Sequence, residues 1–178
     1  MALEQLNAAV GILTLFVVAL ASTAALIQLR HLRGANTLNT LLEIMRQWRD
    51  PQLQSDLRFA RVELPQLLND PAFVQSLRGR PVDRLVHREL FIADWYEQLG
   101  SYLKHGLLDE TIFMDASCGP VTGAWEAIWP VVALLRESGG SSLYENFEYL
   151  AVRARAFIDR HPDGMWPRGV PRMPASGR

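Results

Sequence analysis

Residues 8 to 27 carry no charged side chain and are almost all apolar. As a helix rising about 1.5 Å per residue, such a run reaches about 30 Å, the hydrocarbon thickness of a bilayer. It is apolar on every face, whereas a helix at the surface of a soluble domain shows water a polar stripe. A secretory signal peptide needs a basic start, and Met1 to Asn7 hold one acid, Glu4, and no Lys or Arg. Ala19-Leu20-Ala21 offers only the small-residue pattern of a cleavage site. The sequence therefore predicts a transmembrane anchor within residues 1–33, closed by a basic flank containing Arg30 and Arg33. The hydroxyls of Thr14, Ser22 and Thr23 are compatible with lipid because they can bond back to helix carbonyls. Cations cluster on the C-terminal side of the run, at Arg30 and Arg33 and then Arg46 and Arg49. The positive-inside rule then puts the N-terminus outside and the rest of the chain in the cytoplasm. A single cysteine, Cys118, is consistent with that side, since no intrachain disulfide can form.

Beyond the anchor, helical periodicity dominates. Leu38, Leu41, Leu42, Met45 and Trp48 recur at three- and four-residue spacing up to Asp50-Pro51, and Leu53, Leu57, Ala60 and Leu64 continue the pattern to Pro65. A short segment after Asp70-Pro71 ends at Gly79. Pro81 suits the first position of a long helix reaching Lys104, with Gly106 closing it. Asp109 is placed to cap a short helix, and Ser117 to Pro120 reads as a turn. A helix over Val121 to Glu137 is kinked or divided at Pro130, and a last helix runs from about Leu143 to Arg160. No stretch alternates with period two. The expected fold is all-α: the anchor, a five- to seven-helix bundle over residues 34–160, and a flexible Pro/Arg tail over 161–178.

Net charge is -1, which does not indicate a nucleic-acid-binding surface. No phosphate loop, nucleophile elbow, zinc-protease helix or paired cysteine motif occurs. On a helix from 81 to 104, Asp83, His87, Asp94 and His105 would fall on one polar stripe. Asp83 and His87, one turn apart, could share a metal or a proton, which makes these four the candidates for metal-assisted hydrolysis. A solvated helix face explains the same stripe without chemistry. Cys118 would need a helix start or a cation beside it to become reactive. Arg30, Arg33 and the arginines of the tail could attract anionic lipid.

Four stretches carry a resemblance: the apolar run leading into QLRHL, EQLGSYLKHGLLD from Glu97 to Asp109, Trp125 with Pro130 and Arg136, and YENFEYLA from Tyr144 to Ala151. Together they resemble a family of small bacterial single-span membrane proteins with a helical domain of unknown function. The resemblance implies a bacterial source, one N-terminal span and an α-helical domain, and it implies no reaction, cofactor or metal. Within the last stretch, Glu148 is placed to pair with an arginine from another helix, Arg136 first among them. Buried, such a pair is a structural lock, and breaking it costs about 3–5 kcal/mol.

These readings converge on a non-enzymatic, membrane-anchored helical module at the cytoplasmic face of a bacterial inner membrane. It would act through a protein partner or self-association, with no cofactor. The alternatives are the metal-assisted hydrolase and an anionic-lipid binder.

Overall fold

The computed structural model describes residues 2–79 and 81–173, except the side chains of residues 2–4, 6–9, 12 and 30–37. Among them there are seven helices and no strand: α1 (Ala2–Trp48), α2 (Pro51–Val62), α3 (Leu64–Leu67), α4 (Pro71–Arg78), α5 (Glu89–Lys104), α6 (Glu110–Gly139) and α7 (Glu145–Arg160). The chain divides into two compact units, residues 1–42 and 43–178.

In the first unit, Leu13–Leu29 is an apolar helical stretch. Leu15, Phe16, Val17 and Val18, four consecutive residues, are all more than half exposed, as are Leu20, Leu26 and Leu29. Thr14, Ser22 and Thr23 each donate their hydroxyl to the carbonyl four residues back, at 2.8–2.9 Å. The Arg30 and Arg33 side chains, expected at a membrane flank, lie outside the described residues. Among those described, α6 is the helix long and apolar enough to cross a membrane by composition. It buries Phe113, Met114, Val121, Ala124, Ile128, Val131, Val132 and Leu135, so its apolarity serves the core.

The second unit has its own core, built from Ile44 near the end of α1 through to Phe157 in α7. α5, α6 and α7 enclose it, with α2 and α4 against them. Tyr96 and Phe147 stack at 4.7 Å between ring centres, and Trp125 meets Phe147 edge-on at 4.9 Å. Three aspartates start helices as their sequence positions suggest: Asp50 accepts from Gln52 N–H, Asp70 from Ala72 N–H and Asp109 from Ile112 N–H. Gly106, at φ 68, closes α5 in the left-handed conformation that glycine adopts without strain.

Several expected boundaries move. α2 ends at Val62, and Pro65 lies in the first turn of α3 instead of terminating a helix. Pro81 does not open a long helix, because α5 begins at Glu89 and residues 81–88 form turns. Asp83 holds the first turn by accepting Leu85 N–H at 2.8 Å, and Arg84, His87 and Arg88 are each bound to other elements. Those contacts outweigh the local preference of the segment for helix. The expected turn at Ser117 to Pro120 lies inside α6, which continues through both Pro120 and Pro130. Each proline removes one backbone donor and strains the turn before it, a cost of about 3 kcal/mol. The apolar residues buried on both sides of each proline offset it. Thr122 returns its hydroxyl to the carbonyls of Cys118 and Gly119 at 3.1 and 2.9 Å. The last helix starts at Glu145, after a left-handed Tyr144 at φ 57. Of the expected tail, residues 161–173 are irregular, with Trp166 Nε1 donating to Val170 O and Arg172 Nη2 to Asp163 O, both at 2.7 Å. Residues 174–178 lie outside the described residues.

Candidate functional site

The four residues of the expected stripe go to four different places. Asp83 holds its turn. His87 is fully buried. Asp94 forms an ion pair with Arg84 and accepts the Tyr144 hydroxyl at 3.0 Å. His105 is the C-cap of α5, its N–H bonded to Ser101 O. The four do not share one helix face, because Asp83 and His87 precede α5. Among the described residues no group of three or more His, Cys, Asp or Glu side chains is placed to hold a metal. Cys118 sits half-buried inside α6, away from any helix start.

Sequence reasoning missed a different cluster. His87 Nδ1 lies 2.8 Å from Glu89 Oε1, and its Nε2 lies 2.8 Å from Ser76 Oγ in α4. Ser76 Oγ in turn donates to Phe73 O at 2.7 Å. The Phe73 ring packs over the imidazole at 4.8 Å, and both His87 and Glu89 are 0 % exposed. The order serine–histidine–carboxylate is that of a nucleophilic triad, so the hydrogens must be counted. With its one hydrogen given to Phe73 O, Ser76 Oγ accepts from Nε2. A base that activated Ser76 would have to accept there, and this arrangement has it donating. The chain therefore ties α4, the 81–88 segment and the start of α5 together. Glu89 Oε2 is buried without a partner, which makes this tie sensitive to substitution. The His-x-Glu spacing, with the acid in the first turn of a helix, was the available sequence signal.

Asp56, 2 % exposed on α2, accepts Arg88 Nε at 2.8 Å, while the Arg88 guanidinium lies over the Phe59 ring at 4.7 Å. Arg84, His87 and Arg88 thus clamp the 81–88 segment and leave Leu85 at its tip 92 % exposed. Leu85 borders an open cleft of 720 Å³ whose wall also includes Leu53, Arg84, Arg88, Phe91 and Trp95.

The two stretches that carry the resemblance most specifically meet in space. Gly100 on α5 faces the start of α7, where a Cβ on it would stand 1.9 Å from Asn146 O. One turn earlier, the Glu97 carboxylate accepts Phe147 N–H and Asn146 Nδ2, both at 2.8 Å. Tyr144, the N-cap of α7, supplies no side-chain cap of its own, so Glu97 caps that helix from outside. Lys104 adds bonds to Glu145 and Asn146 at 3.1 and 3.2 Å. Burial and the adjacent Asp94 carboxylate push the Tyr144 phenol above its ordinary range. Burial also pushes up the Tyr96 phenol.

Arg136 and Glu148 stand 2.8 Å apart, and Arg136 Nε donates to Leu143 O at 2.8 Å. The arginine is 14 % exposed and the glutamate 44 %, so the glutamate end of the pair is open to water. Its Nη2 makes the ion contact off the line of a hydrogen bond. These contacts hold the α6–α7 turn.

The family described as "Domain of unknown function (DUF4760)" matches residues 15–154. No curated protein and no solved structure matches the chain.

Proposed function

The chain belongs to the DUF4760 family, a domain of unknown function, and we propose that it is a membrane-tethered helical module, one N-terminal span holding an interaction domain at the cytoplasmic face of a bacterial cell membrane. The observation that carries the reading is the surface of α1. From Leu13 to Leu29 the helix exposes large apolar side chains on every face, and its hydroxyls are satisfied by its own carbonyls. In water that surface costs free energy at about 25 cal/mol per Å², and in hydrocarbon the cost disappears. The core of the unit from residue 43 onward contains no residue of this stretch.

Exposed apolar residues beside a cleft are the mark of a contact surface, and Leu85 with Phe91 offers one. Tethering raises the effective concentration of a weak binder, so modest contacts there suffice. The test uses the full chain expressed in bacterial cells. Resistance of the membrane-bound chain to alkaline extraction is expected. So is protection of Cys118 from an impermeant maleimide until the cells are lysed. Release by alkali would refute the span, and labelling in intact cells would refute the cytoplasmic side. A label that enters only after denaturation passes the question of side to a C-terminal reporter fusion.

A further inference from the structure

A cavity of 210 Å³ in the second unit lies between three helices, bordered by Trp48 of α1, Trp95 and Tyr96 of α5, and Phe113, Ser117 and Pro120 of α6. Four of these six walls are aromatic. The polar groups are few. Tyr96 is 1 % exposed, and its hydroxyl reaches only the Pro120 carbonyl at 3.5 Å, the outer limit of a hydrogen bond. Pro120 has no N–H to offer the Ala116 carbonyl, and both residues border the cavity. A poorly used donor and an acceptor without its usual helical partner thus lie beside a largely aromatic space. Water is a poor tenant, because the volume would hold about seven molecules at roughly 30 Å³ each and the wall offers polar partners for far fewer. An apolar cavity of about 150 Å³ accommodates benzene, so this one has room for a ring and one or two further heavy atoms.

We infer that this cavity is a binding site for a small single-ring aromatic alcohol, a phenol-class compound whose ring lies against Trp48, Trp95 and Phe113 and whose hydroxyl accepts from Tyr96 and donates to a carbonyl of α6. One hydroxyl does both jobs, which an aldehyde, ketone or plain hydrocarbon does not. The site lies wholly within residues 43–178 and is independent of whether α1 spans a membrane.

The experiment follows the methyl resonances of methionine in the full chain in detergent micelles, titrated with p-cresol and with toluene. Met45 lines the cavity, while the more exposed Met165 and Met173 report partition into the micelle. A saturable Met45 shift is expected with p-cresol, with about tenfold weaker binding of toluene, the worth of one net hydrogen bond. Tyr96→Phe should close that gap, and Ser117→Leu, which fills the space, should abolish the Met45 shift with both compounds. The fully buried Met114 signal checks that each variant is folded. No saturable shift at Met45, equal affinity for both compounds, a gap that survives Tyr96→Phe, or a shift that survives Ser117→Leu would each overturn the assignment.

Discussion

Gly100→Ala would add one methyl group at the crossing of α5 and α7. Its Cβ would stand 1.9 Å from Asn146 O and 2.4 Å from Asn146 C, both backbone atoms that cannot swing aside. Ordinary contact begins at 3.4 Å, so the start of α7 must retreat by 3.4 − 1.9 = 1.5 Å. That movement also pulls Phe147 N–H from the Glu97 carboxylate and Lys104 from Glu145, bonds now at 2.8 and 3.1 Å. Overpacking costs about 1–3 kcal/mol and loss of a cap about 1 kcal/mol, against a gain of about 1 kcal/mol from replacing a mid-helix glycine. The net expectation is a loss of about 1–3 kcal/mol, or a Tm lower by roughly 2–12 °C for a chain of this size. Gly123→Ala is the matched control, because its Cβ would meet nothing closer than 4.0 Å, so it should be neutral or stabilising. Thermal and urea unfolding of the full chain in micelles, followed by tryptophan fluorescence, measures both. A Gly100→Ala protein as stable as wild type would refute the close crossing.

Glu97→Ala should strip hydrogen-exchange protection from the Phe147 amide and cost about 1–2 kcal/mol, whereas Glu97→Gln, which keeps an acceptor oxygen, should retain most of it; equal loss in both would show that the cap is not made. Glu89→Ala, leaving the buried His87 without its carboxylate partner, should destabilise by about 2–4 kcal/mol, and Glu89→Gln by far less, so similar unfolding midpoints for the two would refute the tie. Tyr96 and Tyr144 both have phenols pushed above the ordinary value of 10.0 by burial. Their raised folded-state values make their contribution complete below pH 10 and lost as pH rises toward those values, because the unfolded chain releases the protons first. Stability should fall above pH 10 by up to about 1.4 kcal/mol per pH unit for each tyrosine, and Tyr144→Phe should reduce that slope; an unchanged slope would remove Tyr144 from the account.

The sequence by itself determined the features whose causes are local. An uncharged run fixes an apolar helix at Leu13–Leu29 whatever surrounds it. Asp50, Asp70 and Asp109 mark helix starts because a side-chain oxygen two or three residues before an orphan N–H needs no distant help. The all-α class follows from periodicity in the same way. Tertiary structure decided whatever depends on a partner far along the chain. Residues 81–88 have the composition of a helix, and they become a clamp only because Asp56, Ser76 and Asp94 lie where Arg88, His87 and Arg84 can reach them. The same contacts scatter Asp83, His87, Asp94 and His105, a set that only an unbroken helix would align. Pro120 looks like the end of a helix until the core residues beyond it are seen to hold the helix together. Glu97 and Gly100 acquire their purpose from Phe147 and Asn146, nearly fifty residues further along the chain. Local bonds are written in neighbouring residues, whereas a buried clamp or a close helix crossing exists only when packing brings both halves together, and no single stretch of sequence contains both.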